Sequence, residues 1–324
     1  MENKVVIALD AMGGDYAPVE TVKGAVEAVN ENKGMKVILV GREEEIKSEL
    51  AKYTYEEASI EIVNATEIID MGEVPTKAIR EKKDSSLVVA MKLVRDGKAD
   101  AIVSAGSTGA ILVGGQLVVG RIKGIKRPAL APFLPSKNGF SLLIDCGANV
   151  DARASHLVQF AKMGSIYMEH VVGIKNPKVG IVNIGAEEEK ELNFIGSVEA
   201  REIPHGQADV IVTEAFSGNV ILKLYEGVGA VLISKVKEGL MSTLRSKIGA
   251  LLIKPALKST LKSFDASEYG GAPLLGLNGL VVKTHGSSKA KEVSNTLIQC
   301  VTFKKQKINE KIRESIQSEQ KSAE

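Results

Sequence analysis

The strongest constraint on this chain is an alternation of two patterns. Short apolar runs of strand type fall at residues 4–9, 36–40, 59–63, 101–104, 140–144 and 178–184. Between them, segments 18–30, 43–52, 86–96, 108–119 and 155–169 carry apolar residues at helical intervals. Strands without a polar alternate are buried on both faces. Joined by amphipathic helices, they specify an α/β fold, a largely parallel sheet with helices on both faces. A strand at 208–213, a long helix from about residue 219 to 239 and a late strand at 280–283 extend the pattern. The 324 residues suit one α/β unit of two lobes sharing a sheet. Residues 305–324 read as a polar C-terminal tail whose end frays.

The pattern is strained at one point. Segments 179–184 and 192–195 both read as strands, yet only "GAEEEKE" separates them. A parallel pair needs a crossover of about a dozen residues or more. The two either form a hairpin or have lost residues between Lys190 and Glu191.

Composition narrows the function classes. Aromatic residues are 4% and Trp is absent, so Val, Ile, Leu and Ala must fill the core. A net charge of +2 argues against a nucleic-acid protein as a whole. Two cysteines, Cys146 and Cys300, make no disulfide framework and fit a reducing cytoplasm. Residues 101–120 carry no charge over a membrane-spanning length, but "SAGSTG" at their centre is turn chemistry. The four histidines, at 156, 170, 205 and 285, have no zinc spacing. No metal or cofactor is expected. The Walker motif, the dinucleotide fingerprint and the G-x-S-x-G elbow are all missing.

A loop type recurs instead. "DAMGGD" (10–15), "SAGSTGA" (104–110), "DCGANVD" (145–151) and "TEAFSGN" (213–219) each follow a strand. In parallel sheets, ligands gather outside the carboxyl ends of the strands. Glycine lets backbone N–H groups approach a ligand, and a helix start adds unpaired N–H groups and partial positive charge. Such turns bind anions. Candidate binding residues are therefore Asp10, Gly13, Gly14 and Asp15; Ser104, Gly106 and Gly109; Asp145, Gly147 and Asn149; and Ser217 and Gly218. Ser107, Thr108 and Asn219 are candidates for the chemistry. Each turn taken singly also fits ordinary helix capping. Asp10 and Asp15 would repel a phosphate unless a cation intervenes, and Lys77 or Lys283 could supply it. His285, at a Gly-Ser turn before a helix, could face the ligand or merely cap.

Residues 241–264 carry five basic residues and no acid. Apolar residues recur at helical spacing on both sides of Pro255, which predicts two short amphipathic helices broken there. Leu251, Leu252, Ile253, Lys254 and Lys258 would meet an anionic membrane surface. A dimer interface is the alternative.

Taken together, these loops resemble one family, the bacterial phosphate acyltransferases of the PlsX type. The matching stretches include "ALDAMGGDYAP", "VPTKAIR", "IVSAGSTGA", "DCGANVDARASHLVQFAKMGS", "VTEAFSGNVILKLYEG" and "GLVVKTHGSS", and they cover most of the chain in order. The resemblance implies transfer of a fatty acyl group from acyl carrier protein to inorganic phosphate, giving acyl phosphate for phospholipid synthesis. It implies a fold related to phosphotransacetylases and isopropylmalate dehydrogenases, a homodimer, and a cytoplasmic enzyme held peripherally on the inner face of the cell membrane. Phosphate is already ionised near neutral pH and a thiolate leaves readily, so no nucleophile triad is needed. Backbone N–H groups of turns 106–109 and 217–219 are the candidates for holding phosphate and oxyanion, with Lys77, Asn149, Asn183 and His285 behind them. Direct attack by phosphate is the expectation; Cys146, in a site loop, is the one residue that could carry an acyl-enzyme instead. Family members have an extra segment, roughly a helix long, where Lys190 here abuts Glu191, so residues are expected to be absent at that join. Rival readings are a short-chain phosphotransacylase using coenzyme A, a non-catalytic carrier-protein or lipid scaffold, and a metal-dependent dehydrogenase of the related fold.

Overall fold

The computed structural model describes residues 4–182, 192–263 and 270–323. The first half of the chain forms β1 (Val5–Asp10), α1 (Val19–Glu31), β2 (Met35–Gly41), α2 (Glu43–Leu50), β3 (Ile60–Asn64), α3 (Pro75–Glu81), α4 (Ser86–Arg95), β4 (Ala101–Ser104) and α5 (Thr108–Gly114). α5 continues as a π-helical turn, Gly115–Val119. Next come β5 (Ala129–Leu130), β6 (Phe133–Ser136), β7 (Gly139–Ile144), α6 (Ala154–Tyr167), β8 (Val179–Ile181), β9 (Phe194–Ser197) and β10 (Val210–Val212). The chain ends with α7 (Ala215–Leu240), α8 (Leu244–Ser263), β11 (Ala272–Leu275), β12 (Leu280–Lys283), α9 (Ala290–Lys305) and α10 (Ile308–Ala323).

Two sheets result, in the orders β3-β2-β1-β4-β12-β11-β5 and β6-β7-β10-β8-β9. The strands from β3 to β12 in the first sheet and from β7 to β9 in the second run parallel. Their continuous apolar character has a direct cause. Ile7 and Leu9 enter one core while Ala8 enters another, and Val37, Leu39 and Ile38 divide the same way. Side chains alternate between faces, so a strand covered on both sides must be apolar throughout. The core on one face also holds Leu142, Ile144, Val210 and Val212 of the second sheet, so it runs beneath both.

The lobes do not divide one regular sheet, as expected, but join two. The chain is β5 in the first sheet and β6 in the second, with Ala131 and Pro132 at the join. Ala131 N–H donates to Pro273 O (3.0 Å), Leu143 N–H to Pro132 O (2.9 Å) and Cys146 N–H to Leu130 O (3.0 Å). This bent segment is hydrogen-bonded to β11 on one side and to β7 on the other, which places the two sheet rims together.

Of the two alternatives for segments 179–184 and 192–195, the parallel pairing of β8 and β9 excludes the hairpin. The join between Lys190 and Glu191, with Asn183, lies outside the described residues. Pro255 does not break the basic segment, because α8 runs through it as one helix. Proline removes the hydrogen bond to the carbonyl four residues earlier; that residue, Leu251, is 70% exposed, so water can serve the freed oxygen. The tail expected at 305–324 is largely the helix α10. Ile308, Ile312 and Ile316 recur every four residues, and this buried stripe docks an otherwise polar helix near α6.

Residues 101–120 form β4, a turn and α5 with its π-turn, almost entirely within the body. The long exposed apolar helix is α7 instead, whose 26 residues are enough to cross a membrane by length and composition. Its first turns pack on the body, and beyond them it extends outward with α8.

Candidate functional site

The parallel pairing brings the strand ends together. Ser104 and Lys283 are register partners at the ends of β4 and β12, and Thr284 N–H donates to Ser104 O (3.0 Å). In the second sheet Ile144 faces Val212, and Asp145 N–H donates to Thr213 O (3.0 Å). An open cleft of about 620 Å³ lies where these rims meet. Thr108, Gly147, Asn219, Lys283 and His285, five of the residues singled out from sequence, line it together with Cys146. Three of the four Gly-rich loops thus face one space, as the carboxyl-end rule requires.

The cleft is lined by charged and by apolar residues. Lys223 Nζ lies 3.4 Å from His285 Nε2 and pairs with Glu226 at 2.8 Å. Burial, reinforced by Lys223, lowers the Lys283 ammonium to about 8. The same two causes lower the His285 imidazole from its usual value, so it is neutral near pH 7. Ser287 N–H and Oγ lie 3.2 and 2.7 Å from His285 Nδ1. The Ser287 amide on Nδ1 calls for the ring proton on Nε2, whereas the Lys223 ammonium, which can only donate, is served by Nε2 when the proton is on Nδ1 toward Ser287 Oγ. Leu130, Pro132, Phe133 and Leu222 belong to the apolar lining. Lys223 and Glu226 were missed in the sequence. The signal was their spacing from Asn219 at i+4 and i+7, one face of a helix.

Other candidates build the site without facing it. Asp145 is fully buried, and its carboxylate accepts from the N–H groups of Leu130 (2.9 Å), Ala148 (3.2 Å) and Asn149 (2.7 Å) and from Asn149 Nδ2 (2.7 Å). Burial pushes its carboxyl up to about 6 against those hydrogen bonds. Asn149 Nδ2 also donates to Pro128 O (2.8 Å), so this pair secures its own loop. Gly218 lets α7 pack on that loop: a Cβ there would stand 2.1 Å from Asp145 O. The Ser217 turn cannot hold phosphate as expected. Its amide and that of Phe216 donate to the Glu214 carboxylate at 2.7 and 2.6 Å, which caps α7 with a negative charge.

No side chain caps α5, whose N-cap residue is Ser107. Gly109 faces Pro75, where a Cβ would come within 2.5 Å. Lys77 is exposed, lies 4.0 Å from Glu81 and does not line the cleft. The "DAMGGD" loop does not line the cleft. Asp10 is buried against Ser104, while Gly14 and Asp15 back onto the His285 turn, with Asp15 N–H donating to Gly286 O (2.8 Å).

Cys146 is 2% exposed, its Sγ lies 3.4 Å from Gly218 O, and burial pushes the thiol up to about 12. A thiol so rarely ionised is a poor nucleophile. Cys146→Ala is expected to keep at least about a third of the wild-type kcat. Complete loss in a folded variant would favour an acyl-enzyme. Among the described residues no three His, Cys, Asp or Glu side chains converge as a metal site.

Known proteins match this chain over nearly its whole length. Residues 5–311 match the family model described as fatty acid synthesis protein. A protein named phosphate acyltransferase from Clostridium acetobutylicum is 48% identical over 328 residues, covering 97% of this chain and 99% of the relative. One of the same name from Alkaliphilus oremlandii is 51% identical over 327 residues, covering 96% and 97%. Among solved structures, a phosphotransacetylase from Streptococcus pyogenes superposes with a TM-score of 0.61 at 19% identity, covering 92% of this chain and 93% of that one. A branched-chain phosphotransacylase from Enterococcus faecalis gives 0.52 at 14%, covering 92% and 98%. These two show the fold, including the phosphotransacetylase likeness expected from sequence. With the family model spanning the body and the relatives matched end to end, the chain belongs to the fatty acid synthesis protein family, the PlsX-type phosphate acyltransferases.

Proposed function

We propose that this chain is an acyltransferase that moves a fatty acyl group from an acyl carrier protein thioester to inorganic phosphate. The observation that carries the reading is the cleft, which Lys223, Lys283 and His285 line together with Leu130, Pro132, Phe133 and Leu222. The ammonium groups attract the phosphate dianion, and Thr108, with the α5 amides that no side chain caps, adds donors. The apolar lining suits the first carbons of the acyl chain. A phosphate oxygen attacks the thioester carbonyl, and the oxyanion gains hydrogen bonds from a cleft lysine. Collapse breaks the C–S bond and releases the thiolate. The proton carried by the phosphate passes to sulfur, so acyl phosphate and free thiol are the products.

Acyl carrier protein thioester should lose its acyl group only when phosphate is present, and hydroxylamine should trap the acyl phosphate. Turnover of acyl coenzyme A alone would favour the short-chain phosphotransacylase. Thioester that survives phosphate would leave only a binding scaffold.

The proposal extends to place and assembly. The enzyme works in the cytoplasm on the inner face of the cell membrane, as a homodimer, supplying acyl phosphate to phospholipid synthesis. Its support is the apolar surface that α7 and α8 expose, including Leu224, Val228, Val231, Leu244, Leu251 and Leu252. An exposed patch of that kind marks an interaction surface. The α7 residues would bury against a second copy. Leu251, Leu252 and Ile253, beside Lys254 and Lys258, would meet anionic lipid. Replacing Leu251 and Leu252 with Glu is expected to cut cosedimentation with phosphatidylglycerol vesicles by roughly tenfold or more. Wild-type protein that ignores such vesicles at low salt would remove the membrane contact from the reading.

A further inference from the structure

The Asp10 carboxyl group has no contact with the cleft, yet its surroundings are highly constrained. It is 2% exposed, and it meets Ser104, 94 positions away and itself 1% exposed, with Ser104 Oγ donating to Asp10 Oδ2 at 2.7 Å. The same Ser104 Oγ accepts the Gly106 N–H at 3.0 Å. A hydroxyl has one proton. Because Asp10 takes it, a lone pair is left facing the Gly106 amide, and the turn after β4 is held in one conformation. Two residues on, that turn delivers Thr108 to the cleft, and Ser104 stands in register with Lys283.

The surrounding backbone is shaped around this contact. A Cβ on Gly13 would stand 2.4 Å from Asp10 Oδ2. One on Gly14, at φ +105°, would stand 2.8 Å from Ala105 Cβ and 3.0 Å from Gly286 O. The "DAMGGD" loop therefore presses on both the Ser104 turn and the His285 turn.

We propose that Asp10 is a positioning residue for phosphate: through the Ser104 hydroxyl it fixes the turn that carries Thr108 into the cleft beside Lys283. The inference rests on the cleft being the phosphate site. It also explains why an acid closes β1 near an anion site. Asp10 does not line the cleft and holds the turn through Ser104, whereas an acid facing the cleft would repel the ligand.

The test compares Ser104→Ala, Asp10→Ala and Asp10→Asn in steady-state kinetics with phosphate varied, alongside amide hydrogen exchange of residues 104–110 in the free enzyme. Ser104→Ala and Asp10→Ala are expected to raise the phosphate KM at least about tenfold, with kcat at saturating phosphate changed by less than about threefold. The double variant should be no worse than either single one, because the two act as a unit. Asp10→Asn, whose amide oxygen can still accept from Ser104, should recover most of what Asp10→Ala loses. Exchange of the 104–110 segment should quicken in both alanine variants and less in Asp10→Asn. Ser104→Ala is a small buried change, so it remains informative if Asp10→Ala fails to fold. A folded Ser104→Ala enzyme with wild-type phosphate KM, or one in which only the acyl donor's KM rises, would overturn the proposal. Unchanged exchange in that variant would overturn it as well. If the wild-type protein shows no phosphate-dependent reaction, the functional reading fails, while hydrogen exchange still decides whether the relay holds the turn.

Discussion

Lys283→Ala should lower kcat/KM for phosphate by roughly 10²–10³, the usual cost of removing one preorganised donor from a charged transition state. Lys283 is the best placed of the two cleft lysines. It ends a core strand, lies in register with Ser104 and is largely screened from water. Lys223 is more exposed and is paired with Glu226. The charged groups lining the cleft are Lys223 and Glu226 of α7, Lys283 at the β12 end and Glu292 of α9, with the neutral His285 beside them. Glu292 is engaged, accepting from Lys289 N–H at 2.8 Å. Burial and the neighbouring Lys223 lower Lys283 to about 8, so it carries its charge below that pH and loses it above. Phosphate-dependent activity should therefore fall as pH rises through about 8. Arginine keeps its charge throughout this range. In Lys283→Arg the alkaline limb should move upward, even if the larger guanidinium lowers the maximum. A pH profile of kcat/KM checks this, and an alkaline limb at the same pH in the Arg variant would exclude Lys283 as its source.

Gly218→Ala should damage both stability and activity, although it adds only one methyl group. The new Cβ would lie 2.1 Å from Asp145 O and 2.9 Å from Thr213 Cγ2. The first contact is backbone, held by the Asp145 N–H bond to Thr213 O, so no side chain can swing aside. The start of α7 must move, and Asn219 and Lys223 move with it. Overpacking of this kind costs about 1–3 kcal/mol. A shift of about 1 Å at a reacting centre can cost on the order of 10²-fold in rate. Thermal unfolding and single-turnover acyl transfer would measure the two effects separately. A variant matching the wild type in both would show that the α7–Asp145 contact is looser than it stands here.

Much of the site was legible because its signals are local. Asp10, Ser104, Asp145 and Thr213 each follow an apolar run with a glycine turn, and strand ends in a parallel sheet must gather ligands on one rim. Thr108, Gly147 and Asn219 lie on such loops, while Lys283 and His285 entered separately, as a candidate cation and at a Gly-Ser turn, and all five line the cleft. The individual roles were not legible. Asp145 looks like a ligand group until its four donors are seen, and Ser217 looks like a phosphate cradle until Glu214 is found on its amides. Lys223 was overlooked inside an apolar helix because its relation to His285 crosses 62 positions of sequence.

By itself the sequence determined the α/β class, the covered parallel strands and the family, because strand periodicity, turn chemistry and ordered motifs are properties of neighbouring residues. The tertiary structure alone decided that two sheets meet at Ala131 and Pro132, that Asp10 is buried against Ser104 and does not line the cleft, and that α7 and α8 stand clear of the body. The physical reason is that burial and hydrogen-bond partnership are settled between segments far apart in the chain. A carboxylate among backbone donors and one facing a ligand can have the same neighbours in sequence.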